Sequence, residues 1–315
     1  MAAHLKNLTI AAGVTSLICA AVLYSINPQF GYWVYRCVAG ADSKIACIYG
    51  DPSHFRTTTL GSVYEGNTAD WIDRRVLLYG AYEMPELFFL RDVSSGGVML
   101  DIGANKGLYS LFLSKYQKEI HAFEPFPPIL EQLRKHVAAN DIKNIIIHPV
   151  GLGDKNERLP FKAPVATNQG VGSFAFVSGD YPHDSLEVQT GDQALQTAGV
   201  AAVDLIKMDI EGFERPALRG LVETMARSRP IVLFELNLRP QGAMLFQSME
   251  QLASAFPPNY KLSILKTLNP YTGEYQLVPV DGAINFSSET GEQHNIVAFP
   301  VEKEHRVPLR GPVKR

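Results

Sequence analysis

From residue 98 to residue 236 the chain alternates short, β-branched apolar runs with stretches whose apolar positions recur at three- and four-residue intervals. A strand is predicted over Val98-Met99-Leu100-Asp101-Ile102, a helix over Gly107 to Tyr116, and a second strand over Ile120-His121-Ala122-Phe123-Glu124. Leu130, Leu133 and Val137 share one helical face, so Ile129 to Asn140 reads as an amphipathic helix. Strands follow at Ile145 to His148, Val203 to Met208 and Ile231 to Leu236, with a helix from Pro216 to Ala226 before the last. Strands this apolar are buried on both faces, and their alternation with helices predicts a parallel sheet. The intervening segment, about Leu152 to Val200, is less regular; its Phe161, Phe174, Phe176 and Tyr181 are spaced to pair as strands and cover the sheet. Past Ser248 come one short helix, then Lys261 to Leu265, a turn at Tyr271-Thr272-Gly273, Tyr275 to Val278 and Asn295 to Phe299. Short strands joined by turns predict an antiparallel edge on the parallel sheet.

The N-terminus follows another pattern. No charged residue stands between Lys6 and Arg36, and Leu8 to Ile26 is a 19-residue run that is apolar on every side of a helical wheel. As a helix it would be about 28 Å long, close to the hydrocarbon thickness of a bilayer. Asn27-Pro28 and then Phe30, Tyr32, Trp33 and Tyr35 read as a helix stop and an interfacial aromatic belt. The expectation is a single-pass anchor; a cleaved signal peptide is the rival, but the run is too long for an ordinary one. Charge on the two flanks is nearly balanced and leaves orientation open.

Composition changes this picture only in part. With 46% hydrophobic residues, 25 Gly, 20 Pro and 3 Cys in 315 residues, the chain is neither disordered nor a disulfide scaffold. A net charge of −3 removes the bulk electrostatic argument for a nucleic-acid partner. Charged residues are 19%, below the usual share for soluble domains, and the uncharged N-terminus accounts for part of the shortfall.

Candidate chemistry clusters at strand ends. Asp101-Ile102-Gly103-Ala104-Asn105-Lys106-Gly107 places an acid and two glycines at the first strand-to-helix turn, where a backbone can turn tightly and approach a ligand. The spacing is not the dinucleotide G-x-G-x-x-G, and a carboxylate there suits a cationic amine better than a pyrophosphate. Glu124, ending the next strand, is placed to accept both hydroxyls of a ribose. Together they favour a nucleoside site, with S-adenosylmethionine ahead of a dinucleotide.

These motifs, with Phe123-Glu124-Pro125 and the run Lys207-Met208-Asp209-Ile210-Glu211-Gly212-Phe213-Glu214 followed by Leu218-Arg219-Gly220, resemble the FkbM family of S-adenosylmethionine-dependent methyltransferases. The resemblance covers about Gly80 to Leu236. It implies an α/β class I methyltransferase (Rossmann-like) fold: a seven-stranded, mostly parallel sheet with an antiparallel C-terminal edge, here preceded by the N-terminal transmembrane helix. It also implies S-adenosyl-L-methionine as cofactor and O-methylation of a small molecule or sugar. Carried over residue by residue, Asp101, Gly103, Asn105 and Gly107 would line the methionine end and Glu124 the ribose. Gly151 and Asp154 would border the adenine, and Glu83 would close the amino-acid end. Only Asp192 matches the family's usual acidic segment before the Lys207 strand.

An acceptor hydroxyl needs a base, and Asp209 first and Glu211 second stand where substrate enters. Glu214 is read as helix-start chemistry, and His183 as a base worth testing. No obligatory metal is expected, since Asp209 and Glu235 alone are too few oxygen ligands for a hard cation. The predicted organisation is an anchor over residues 1–35, a connector with N-terminal helices over 36–95, the methyltransferase domain over 96–300 and a basic tail over 301–315. The acceptor is expected to be a sugar, a lipid-linked molecule or another hydroxyl compound. The catalytic domain is expected to lie in the cytosol, where the cofactor is made. The alternatives are a nicotinamide-dependent Rossmann oxidoreductase and a catalytically silent nucleoside-binding module.

Overall fold

The computed structural model describes residues 54–175, 184–238, 244–280, 284–286 and 291–312. The expected anchor, His183, Phe176 and Tyr181 lie outside the described residues. Among the described residues no helix is long and apolar enough to cross a membrane.

The chain divides after Tyr82 into two compact units. In the first, β1 (His54–Thr59) and β2 (Ser62–Asn67) form an antiparallel hairpin closed by Leu60 and Gly61, both at positive φ, as a two-residue turn with the twist of its strands requires. Helix α1 (Trp71–Tyr79) is capped by the Asp70 carboxylate, which accepts from the Asp73 N–H, and ends at Gly80 in the left-handed region. The buried Asp73 carboxylate in turn accepts from the Tyr64 hydroxyl at 2.8 Å and the Asn67 N–H at 2.7 Å.

The second unit is built on one mixed sheet. Its central strands are β3 (Val98–Ile102), β4 (Glu119–Phe123), β5 (Ile145–His148), β9 (Leu205–Met208) and β10 (Ile231–Leu238), which lie parallel in the order β10-β9-β3-β4-β5. On the far side of β10 come β13 (Glu292–Pro300), β11 (Tyr260–Asn269), β12 (Glu274–Pro279) and β14 (Arg310–Gly311), each antiparallel to its neighbour. The sheet therefore has nine strands, with parallel and antiparallel pairings equal in number, and corrects the expectation of a seven-stranded, mostly parallel one. Part of the excess comes from the C-terminus. The basic segment carries a 3₁₀ helix, Val301–Arg306, and then β14, whose Gly311 pairs with Tyr275. A three-stranded sheet of β6 (Gly151–Gly153), β7 (Glu157–Phe161) and β8 (Asp184–Thr190) occupies the irregular segment, so Phe161 does lie on a strand.

The helices are α2 (Met84–Val93), α3 (Leu108–Leu113), α4 (Pro127–Ala139), α5 (Gly191–Thr197), α6 (Glu214–Arg219), α7 (Val222–Ser228) and α8 (Met249–Ser254). The single helix expected from Pro216 to Ala226 is broken at Gly220, which packs so closely that a Cβ would stand 1.9 Å from the Gly153 carbonyl oxygen, and the chain restarts as α7. Asp192 accepts from the N–H groups of Glu223 and Thr224 at 2.9 and 2.8 Å and so caps α7. One face of the sheet, with Leu100, Ile102, Ile206, Met208, Val232, Phe234 and Leu236, packs on Ala194, Leu195, Leu218, Leu221 and Met225 of the covering helices and their connections. Alternation puts Asp101, Lys207, Asp209, Glu235 and Asn237 on the other face at its carboxyl edge, so a polar row lies there beside an apolar core.

Candidate active site

The glycine turn is held from both sides. Gly103 and Ala104 donate their N–H groups to the Phe123 carbonyl, each at 3.0 Å, which pins the turn to the end of β4. A Cβ on Gly103, at φ +75°, would stand 2.0 Å from the Asp209 carbonyl oxygen, so only glycine lets the turn pass this close to the end of β9. Gly103 and Asn105 are half-buried and face the edge. Gly107, at φ +89°, is instead buried, and a Cβ there would meet Leu133 of α4 at 2.5 Å; its role is packing at the start of α3.

Glu124 is 8% exposed and accepts from the Asn105 N–H at 3.0 Å with one oxygen and from the Phe126 N–H at 2.9 Å with the other. Burial pushes its carboxyl up to about 7, against the pull of these two N–H groups. Each oxygen keeps a second lone pair for a hydroxyl.

Asp101, expected to face a cationic amine at the methionine end, is engaged by the chain's own groups. It is fully buried, accepts from the Ser110 hydroxyl at 2.6 Å, and lies 3.5 Å from the ammonium of Lys207. Its counter-charge thus comes from the chain itself. Lys207 also donates to the Gly103 carbonyl at 2.8 Å and stands 4.9 Å from the centre of the Tyr109 ring. Burial works against the ammonium, but Asp101, Asp209 and Glu83 outweigh it and hold the Lys207 pKa above its usual value. Glu83, at φ +54° before α2, accepts from the Tyr109 hydroxyl at 2.7 Å and so joins this group.

The acids come together immediately beyond. Carboxylate oxygens of Asp209, Glu211 and Glu235 all lie within 4.8 Å of one another, a spacing at which three oxygens could hold a cation. Burial, and then the charges of Asp209, Glu211, Glu214 and Glu83, push Glu235 up to about 10. Glu214 is 3% exposed, accepts from the Ile210 and Gly212 N–H groups, and is pushed by burial up to about 7, so it braces the turn that carries Glu211. Ser173 donates to the Glu211 carbonyl at 2.7 Å and ties the covering segment to the same turn.

The two residues expected to border the adenine, Gly151 and Asp154, make contacts of their own outside the acid group. Gly151 is buried, and a Cβ on it would meet the Phe174 ring at 2.7 Å, so it is a packing glycine. Asp154 is exposed and lies 4.0 Å from Arg219 in the last turn of α6. Sequence reasoning also missed Tyr109, Ser110 and Glu86. The first two occupy the first turn of the helix after Gly107, where side chains reach back to the strand edge, and that position was the available signal. Glu86, one helical turn after Glu83, is buried and accepts from Asn295 at 2.8 Å.

A twisted sheet with a glycine turn, a strand-end acid and carboxylates at one carboxyl edge defines a methyltransferase-like α/β enzyme domain. Residues 101–256 match the family model of the methyltransferase FkbM domain, and this part of the chain belongs to that family. Methyltransferase 1 of Beauveria bassiana (strain ARSEF 2860) is 26% identical over 143 residues, 39% of this chain and 57% of that protein. The 2-O-methyltransferase NoeI of Sinorhizobium fredii (strain NBRC 101917 / NGR234) is 27% identical over 192 residues, 53% of this chain and 78% of that protein. The crystal structure of methyltransferase FkbM from Methylobacillus flagellatus KT aligns over 72% of this chain and 52% of that one, with 19% identity and a TM-score of 0.44. The chain thus spans little more than half the length of the first and last of these. The family match sets aside the oxidoreductase alternative.

Proposed function

We propose that the chain transfers a methyl group from S-adenosyl-L-methionine to a hydroxyl oxygen of a small acceptor: a sugar, a lipid-linked molecule or another hydroxyl compound. The observation that carries this reading is the approach of the glycine turn to the acid-bearing turn at Gly103 and Asp209, which sets a nucleoside-type site against a cluster of potential bases. The name 2-O-methyltransferase borne by one relative supports oxygen as the acceptor atom.

The residues fit the cofactor. Glu124, with a free lone pair on each oxygen, suits the ribose hydroxyls, and the half-buried backbone of Gly103 and Asn105 suits a closely approaching ligand. Asp101 acts at one remove by holding Lys207, which fixes the Gly103 carbonyl. When bound, S-adenosylmethionine supplies an electrophilic methyl on a sulfonium. Asp209 accepts the proton of the acceptor hydroxyl, with Glu211 beside it. Glu235 keeps its own proton at neutral pH and so lowers the negative charge Asp209 must share. The covering turn tied by Ser173 orders this edge, and orienting the acceptor oxygen is itself a large part of such catalysis. No metal is obligatory in this reading: turnover persists in chelator, and a loss restored by Mg²⁺ overturns that point.

Ligand binding tests the assignment. S-adenosylhomocysteine raises the melting temperature of the full chain and NADPH does not, by the linkage of binding to stability; the reverse result sinks the proposal. With labelled cofactor, mass spectrometry of extracts then finds a product heavier by one CH₂.

A further inference from the structure

Asn237 lies on β10 two residues beyond Glu235, and alternation along the strand puts both on the same face. It is 1% exposed, yet neither its amide nitrogen nor its amide oxygen has a hydrogen-bond partner. A buried carboxamide left wholly unpaired is costly, and such groups in native proteins are almost always satisfied by protein, water or ligand. Across the antiparallel pair, Gln293 stands opposite Asn237 and Asn295 opposite Glu235. Gln293 is turned to the Glu235 carboxyl at 3.3 Å, and Asn295 to Glu86 at 2.8 Å, so neither serves Asn237. The row therefore runs from the Asp209, Glu211 and Glu235 acids to an amide with two donor hydrogens and an acceptor unused.

We propose that Asn237 is an acceptor-binding residue, whose amide takes a hydroxyl of the substrate next to the acids that receive its reactive end. The inference rests on the methyl-transfer reading above. A hydroxyl donates and accepts and so meets both amide atoms. A carboxylate meets only the nitrogen, and an ammonium only the oxygen. The substrate class this selects is a polyhydroxyl compound carrying a neutral hydroxyl beside its methyl-accepting one, and the amide discriminates against analogues that lack it because they leave Asn237 unpaired.

The test uses the full chain, its Asn237→Leu and Asn237→Asp variants, and methyl β-D-glucopyranoside and methyl α-L-rhamnopyranoside as neutral probes, read by saturation-transfer NMR. The wild type gives contact signals with at least one probe, and both variants bind it about tenfold or more weakly, the scale of a lost hydrogen bond that leaves a polar group unpaired. Asn237→Leu melts no lower than the wild type, because leucine fills a similar volume with no amide to satisfy. Equal probe signals in the wild type and both variants, or none with the wild type, overturn the inference and leave a buried water as the partner of Asn237. S-adenosylhomocysteine binding is measured in parallel and stays within about twofold in the variants, since the amide hydrogen-bonds to no residue of the glycine turn. If the wild type fails to bind S-adenosylhomocysteine, the methyl-transfer reading falls, and the glycoside signals alone decide the role of Asn237.

Discussion

Glu124 and Glu214 are buried carboxyls pushed up to about 7, and each is bonded to backbone N–H groups of a turn at the site. An unfolded glutamate titrates near 4.5, so between about pH 4.5 and 7 the folded chain binds more protons than the unfolded one. The stability these groups contribute is complete below the unfolded value and is lost as pH rises through the folded one. The change is at most about 3 kcal/mol for each residue. Glu214→Gln mimics the protonated form, so its melting temperature matches the wild type near pH 5 and exceeds it near pH 8; a gap that does not change with pH refutes the assignment. Asp209 makes a different prediction, because it lies among Glu211 and Glu235 beside the glycine turn. Asp209→Asn keeps the shape and removes the base, so turnover falls by about 10²- to 10⁴-fold while S-adenosylhomocysteine binding is retained. Wild-type turnover in that variant would move the base elsewhere, with Glu211 next in line.

At the scale of elements, the capping of α7 shows how one side chain fixes the approach to the site. Asp192 accepts the second and third N–H groups of α7, and α6, just before it, starts from the acid-bearing turn. Asp192→Ala is expected to cost about 1 to 2 kcal/mol and to lower the melting temperature by a few degrees, with turnover per folded molecule unchanged. A drop in turnover at full stability would give Asp192 a role in the chemistry. This residue also marks what the sequence could disclose. The five parallel strands were legible because each carries a short apolar run and ends in a turn. So were Asp209, Glu211 and Glu124, because acids at strand ends are few. Gly107 and Gly151 were not separable from ligand-lining glycines, since contacts with Leu133 and Phe174 come from distant segments. The close packing at Gly220 and the pairing of buried Asp101 with Lys207 depend on partners farther still along the chain, Gly153 and a strand 106 residues later. Strand β14 is two residues long and has no periodicity to read.

At the scale of the molecule, the low overall charge and the uncharged stretch between Lys6 and Arg36 are best joined by one proposal: residues 1–35 anchor the enzyme domain in a bilayer, with that domain in the cytosol beside the cofactor supply. A largely apolar run of 19 residues is long enough to span, and insertion of such a helix is effectively irreversible, whereas a surface attachment through basic residues is released by salt. The full chain therefore sediments with membranes through a high-salt wash and is freed by detergent, and deletion of residues 1–35 sends it to the supernatant. Protease added to vesicles whose cytosolic face is outward degrades the enzyme domain of the full chain. Release of the full chain by salt alone removes the span, and protection from protease reverses its orientation. Either result also bears on the acceptor. If the anchored and truncated forms methylate a soluble glycoside equally, in solution and on liposomes, the anchor carries no substrate information. If only the anchored form on liposomes acts on a lipid-linked glycoside, the membrane serves to bring the carboxyl edge of the sheet to a substrate that diffuses in the bilayer plane.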